Sequence, residues 1–249
     1  MFLLKLRRKI ALLTLLFLIF VVACSDDDSP TSPVNPDADP LLVGTWKLTT
    51  ITVDGLNLTP ETAGYYDIST LTSGQAITVW LAELIEGTED DFEVDDDTGT
   101  WSTSGGLLYV AFGTGLDTLS YTASASSFSI SIEEDGEDYT LTYTQSDDPT
   151  DVVGTWDLAQ VTVDGVDLTP EEAEFDLTLV IAANHTLSET FTEQGIPETV
   201  SGAWTAIGSS LFIIDEDGPF GMTYSVSGST MTFTFPEGSE FSAMELTKQ

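Results

Sequence analysis

Positive charge is scarce in these 249 residues: six Lys and Arg stand against 42 Asp and Glu, a formal net charge of −36. Four of the six, Lys5, Arg7, Arg8 and Lys9, crowd the first nine positions, so the rest of the chain holds only Lys47 and Lys248. Nucleic-acid binding, which needs Lys and Arg to neutralise phosphates, is excluded on this count. Cysteine is rarer still. Cys24 is the only one, which rules out an internal disulfide, a Cys-based metal site and, once that thiol is modified, a Cys nucleophile. Histidine also occurs once. A Ser-His-Asp hydrolase would need His185 as its base, but in Asn184-His185-Thr186 it has no motif around it and reads as a solvated turn residue. Gly-rich phosphate loops and histidine metal motifs are missing, and no cofactor is expected.

What is present begins with a charged head and an apolar run. After Lys5 to Lys9, Ile10 to Val22 is apolar apart from Thr14, and Val21-Val22-Ala23 brings small residues up to Cys24. This is the layout of a secretory signal over residues 1–23, and the run falls short of the ~20 residues a spanning helix needs. It resembles a bacterial lipoprotein signal, which implies cleavage before Cys24 and a lipid on its thiol that ties the chain to a membrane; an uncleaved anchor is the alternative. Cleavage leaves two cations against 42 acids, a formal charge of −40. The plain role of such a surface is solubility, its self-repulsion screened by salt.

Residues 24–40 are rich in Pro and Asp, nearly free of apolar side chains, and expected to form an extended tether. At ~3.1 Å per residue such a tether reaches up to roughly 50 Å. Ser25-Asp26-Asp27-Asp28 resembles the acidic export signal of surface-exposed lipoproteins of the Bacteroidota. That resemblance implies an outer-membrane protein facing the cell surface, with the periplasmic face as the alternative.

Leu42 through Glu61 returns 110 residues later as Val152 through Glu171, with 13 of 20 positions identical. The repeat divides the chain into two β domains, 41–146 and 147–249, joined through Ser146-Asp147-Asp148-Pro149-Thr150. In both first strands the apolar residues change parity, from Trp46 and Leu48 to Ile51 and Val53, and from Trp156 and Leu158 to Val161 and Val163. A two-residue period that slips by one predicts a bulge near Thr49-Thr50, as in a sheet that curls to close. Asp54-Gly55 and Asp164-Gly165 are turns. Thr59-Pro60-Glu61 and Thr169-Pro170-Glu171-Glu172 start helices of about one turn, the second with a full capping box.

Beyond them the pattern alternates. Strands are predicted in the second domain near residues 175–182, 186–193, 198–206, 210–215, 222–226, 230–235 and 242–247. The first domain follows the same plan: Gly99-Thr100-Trp101 aligns with Gly202-Ala203-Trp204, and Tyr121 to Ile132 with Tyr224 to Phe235. Eight short strands in hairpin order predict an all-β chain of two tandem, small, eight-stranded antiparallel up-and-down barrels, each with a one-turn helix after its first strand. A pair of open β-sandwiches is the alternative. With Gly44-Thr45-Trp46 and Gly154-Thr155-Trp156 in bent first strands, the later Gly-x-Trp and the Tyr-(x)6-Phe/Met strands, both domains resemble the lipocalin-like domain of bacterial lipoproteins. The resemblance covers Leu41–Gln145 and Val152–Gln249. It implies a non-enzymatic envelope protein that binds a small, apolar ligand in a barrel; the alternative is a structural or adhesive surface element with filled barrels and no ligand.

Trp46, Trp156, Trp101 and Trp204 recur in register between the domains and are expected to pack the barrel bases. Trp80 has no counterpart. With Tyr65, Tyr66 and Phe92 it forms the candidate ligand site, at a pocket mouth or on a binding face of the first domain only, since apolar side chains with a few polar groups make up most ligand sites. Alternatively Trp80 fills the core of a larger first barrel. The first domain also carries a long acidic hairpin from Glu86 to Asp97. Asp95-Asp96-Asp97-Thr98-Gly99 and Asp215-Glu216-Asp217-Gly218 offer oxygens of the kind Ca²⁺ takes, but neither completes a twelve-residue loop with its distal Glu, so no metal is expected. A paired-carboxylate glycosidase would need a separation that a sequence does not supply.

Overall fold

The computed structural model describes residues 38–85, 88, 91–134, 137–193, 195–236, 239 and 241–249. The signal segment, Cys24 and the tether up to residue 37 lie outside them, as does part of the acidic hairpin's tip. The chain divides into two compact units between Gln145 and Ser146.

The first unit runs β1 (Gly44–Val53), β2 (Leu56–Leu58), α1 (Pro60–Ala63), β3 (Tyr65–Leu71), β4 (Ala76–Leu84), β5 (Phe92–Ser104), β6 (Leu107–Phe112), β7 (Asp117–Ala123), β8 (Ser127–Glu134) and β9 (Glu137–Gln145). Strand β1 pairs with β3 on one side and β9 on the other, so eight antiparallel strands close into a barrel while three-residue β2 folds back on the end of β1. Closure leaves no open sheet edge to attract another chain. The second unit repeats this order: β10 (Gly154–Val163), β11 (Val166–Leu168), α2 (Pro170–Ala173), β12 (Phe175–Ile181), β13 (Thr186–Glu193), β14 (Ile196–Ile207), β15 (Ser210–Asp215), β16 (Gly218–Ser227), β17 (Thr230–Thr234) and β18 (Ala243–Lys248), with β10 closing onto β18.

The parity slip has the predicted cause. The β1–β9 register shifts between Leu48 and Thr50, and the β10–β18 register between Leu158 and Gln160. One extra residue lets Trp46, Leu48, Ile51 and Val53 all reach the same core. The helices are single turns. Thr59 caps α1 by accepting the Thr62 N–H, and Thr169 and Glu172 close a reciprocal capping box on α2.

The second Gly-x-Trp of each domain also has a physical reason. A Cβ on Gly99 would lie 2.2 Å from the Ala111 carbonyl oxygen, and one on Gly202 2.4 Å from that of Ile214. Only glycine lets these strands approach so closely. Two residues on, Trp101 and Trp204 enter the cores. All four recurrent tryptophans are buried, and each indole N–H donates to a carbonyl: Trp46 to Leu42 at 2.9 Å, Trp156 to Val152 at 2.7 Å, Trp101 to Thr72 at 3.1 Å and Trp204 to Ala182 at 3.0 Å.

The acidic hairpin is present as the antiparallel β4–β5 pair, with its half from Phe92 to Asp97 in β5. Three expectations need correction. The tether ends earlier than residue 40: Asp39 donates its N–H to Thr103 Oγ1 at 3.1 Å and accepts from the Tyr121 hydroxyl at 2.8 Å. The link begins as part of the second barrel. Ser146 exchanges hydrogen bonds with the Ala206 backbone, and Asp147 donates to the Ala206 carbonyl at 2.8 Å and accepts the Gly208 N–H.

His185, finally, is in a turn with φ +64° but is only 7% exposed. Its ring stacks on Trp204 at 4.7 Å, Nδ1 meets the Trp204 carbonyl at 3.1 Å and Nε2 meets the Asp148 carboxylate at 2.9 Å. Apolar packing and two polar partners thus remove from water a residue whose sequence context reads as solvated. Gln75 holds the same turn position in the first barrel, with φ +64° and its carbonyl accepting the Trp101 N–H.

Candidate functional site: the lumen of the first barrel

Strand alternation sets which residues face the lumen. The β3–β4–β5 register lines up Tyr65, Glu83 and Glu93 in one row, then Asp67, Leu81 and Asp95, then Ser69, Val79 and Asp97. Tyr65, Asp67, Ser69, Val79, Leu81, Asp95 and Asp97 of these rows face the lumen. A cavity of about 120 Å³ lies there, walled by Leu71, Ile77, Val79, Leu81, Phe128 and Leu141, with Tyr65, Asp67, Ser69, Tyr143, Asp95 and Asp97 supplying its polar atoms.

Asp67 is the central polar group. It is 6% exposed; its Oδ1 accepts from the Ser69 hydroxyl at 2.7 Å and its Oδ2 from the Tyr143 hydroxyl at 3.0 Å. Burial pushes its pKa up to about 6 even though both hydrogen bonds favour the ionised form. Burial also raises the Tyr65 and Tyr143 phenols well above their usual value, with the Asp67 charge adding to the rise. Tyr143 in turn stacks on Phe128 at 4.5 Å, and Phe128 meets the edge of Trp46 at 4.9 Å. The carboxylate is thereby held by a packed aromatic column that reaches the barrel base.

Of the four candidates for ligand contact, the structure brings Tyr65 alone to this cavity. Trp80 pairs with Ile68 on one side and Asp96 on the other, one residue off the inward rows, and so lies on the outer face of the sheet. It neither lines the lumen nor fills the core. Tyr66 and Phe92 share that outer face and touch edge to face at 5.8 Å. Of the two places expected for this group, a pocket mouth or a binding face, Trp80, Tyr66 and Phe92 share an outer face, because a one-residue offset moves a side chain to the opposite side of the sheet.

Asp67 and Tyr143 are not among the candidates that the sequence singles out. A usable signal was there, an acid alternating with Tyr65, Ser69 and Leu71 on the inward parity of β3. The same signal marks Glu189 between Leu187 and Phe191 in the second barrel. Glu189 is 5% exposed, and burial, helped by Asp215 and Asp217, pushes it up to about 8. Asp215 is 1% exposed and raised to about 6 by burial, against the N–H groups of Asp217 and Gly218 that favour its charge.

The acidic runs do not converge on a cation. Asp95 and Asp97 face inward and Asp96 outward, because strand alternation splits the run between two faces. Among the described residues no group of three metal-type ligands is found. A comparison of the chain with protein-family models finds no match, and neither does one with curated proteins.

Proposed function

We propose that this chain is a non-enzymatic, lipid-anchored cell-envelope lipoprotein whose first barrel binds a small, largely apolar ligand. The observation that carries the binding reading is the cavity of about 120 Å³ among the apolar walls of the first lumen. It is smaller than the ~300 Å³ at which drug-sized sites begin. An apolar cavity of ~150 Å³ holds benzene, so the matching ligand is about one ring in size. The non-enzymatic reading is supported by His185, whose two ring nitrogens are both engaged with structural partners. The anchor rests on the charged head, the apolar run and the lone Cys24, and the outer-membrane location facing the cell surface on the resemblance of Ser25-Asp26-Asp27-Asp28 to an acidic export signal.

A second reading, an adhesive or structural surface element without a ligand, is favoured by the outward placement of Trp80, Tyr66 and Phe92. NMR titration with single-ring compounds separates the two. Shifts at Phe128, Leu141 and Tyr143 support lumen binding, whereas shifts at none of them with any compound leave the interaction reading. The anchor has its own test: mass spectrometry of membrane-extracted protein should find lipid-modified Cys24 as the first residue, and Cys24→Ala should release the protein. A full-length, membrane-retained Cys24→Ala variant would mean an uncleaved anchor.

A further inference from the structure

We infer that the first barrel selects a ligand carrying a protonated amine on a small apolar body, with the Asp67 carboxylate as its counter-ion. This rests on the lumen-binding reading above and adds the ligand's charge. Three observations carry it.

The first is the one-signed chemistry of the cavity. Among the described residues its ionisable lining consists of the acids Asp67, Asp95 and Asp97 and the phenols of Tyr65 and Tyr143, with no Lys, Arg or His. An anion entering would meet carboxylates at the wall and at the rim, whereas a cation is drawn toward an acidic mouth by the same field.

The second is the state of Asp67. Two hydroxyls bond it, one on each oxygen, but a carboxylate has about four acceptor positions. Hydroxyl donors orient the charge without cancelling it. A buried charge without a counter-charge is costly, and an ammonium donating into the open positions would supply both the opposite charge and the missing bonds.

The third is the second barrel, which serves as an internal control. At the positions of Tyr65, Asp67 and Tyr143 it carries Phe175, Leu177 and Leu246, all apolar. Phe175 further packs on Phe191 at 6.2 Å and on Phe241 at 5.4 Å. The acid and its phenol donor therefore occur together in the first barrel and are both replaced by leucine in the repeat, whose own buried acid, Glu189, stands at the position of Val79.

Benzylamine, benzyl alcohol and benzoate share one ring size and differ in charge, so they test the inference directly. Titrated by NMR at pH 7.5, benzylamine should bind at least tenfold more tightly than benzyl alcohol, and benzoate should not bind. The groups facing Asp67 are Tyr65 on its own strand, Glu83 on β4, Asp95 and Asp97 on β5 and Tyr143 on β9. Lowering the pH to 5 protonates Asp67 while the amine stays charged, and should shrink the preference to about twofold. Asp67→Asn should do the same at pH 7.5. If that variant does not fold, the pH series on the native protein decides alone. Benzyl alcohol binding as tightly as benzylamine, with no pH effect, would overturn the amine inference and leave lumen binding intact. If none of the three perturbs the lumen, both readings fail.

Discussion

The two barrels share a skeleton down to the bulge, the helix cap and the close-approach glycine, yet each buries its acid in a different place. The first has Asp67 where the second has Leu177, and the second has Glu189 and Asp215 where the first has Val79 and Phe112. Positions that fix closure are duplicated, while those that only face the lumen have diverged. Backbone demands such as a 2.2 Å approach admit one residue type, whereas a lumen position accepts any side chain of suitable volume. The difference teaches where to look for function, in the inward residues that the repeat does not share.

Breaking the shared part should have the largest effect, and the same effect in both barrels. Trp46→Ala and Trp156→Ala each empty a fully buried aromatic site, and each should lower the stability of its own barrel by ~3–5 kcal/mol. Denaturant unfolding of both variants checks this; a loss under about 1 kcal/mol in either would mean that its indole is not a structural plug.

The diverged acids should separate the barrels by pH. Glu189 starts from 4.5 unfolded and is held at about 8 when folded. Below 4.5 it is protonated in both states. As the pH rises toward 8 the folded state keeps a proton that the unfolded state has released, so stability falls, and above 8 the full cost is present. Asp67 does the same between 3.8 and about 6, so the second barrel should weaken over the higher and wider window. Glu189→Gln should recover on the order of a few kcal/mol at pH 9 and little at pH 4, where the acid is already neutral. Thermal unfolding at both pH values measures it, and an equal change at both would show that charge is not the cause.

A smaller effect distinguishes the paired turns. His185→Gln places the first barrel's Gln75 in the second. Loss of the Trp204 stack and the Asp148 contact should cost ~1–2 kcal/mol and expose residues 146–150 to proteolysis. An unchanged cleavage rate there would mean that the ring does not hold that segment. The smallest effect belongs to the caps. Thr169→Ala breaks a reciprocal box and Thr59→Ala a single bond, so each should cost about 1 kcal/mol or less, with the second barrel losing more. Equal losses would leave the Glu172 half of the box without measurable weight.

Much of the fold was legible because its determinants are local. A parity slip, an Asp-Gly turn, a Thr-Pro-Glu start and a returning Gly-x-Trp each act within a few residues. The site was less legible. Trp80 and Tyr65 are both aromatics near the same hairpin, and only the strand register sends one outward and the other into the lumen. His185 misled for the same reason, since the carbonyl of Trp204 and the carboxylate of Asp148 come to it from 19 and 37 residues away.

The sequence by itself determined that there are two closed β domains of one design, because period, bulge and cap are properties of neighbouring residues and the repeat states them twice. Only the tertiary structure decided which acid is buried beside which phenol. Asp67 and Tyr143 are 76 residues apart along the chain and belong to strands that do not pair with each other. They meet because closing the sheet turns both side chains into one lumen, and that proximity is a consequence of closure that local pattern does not encode.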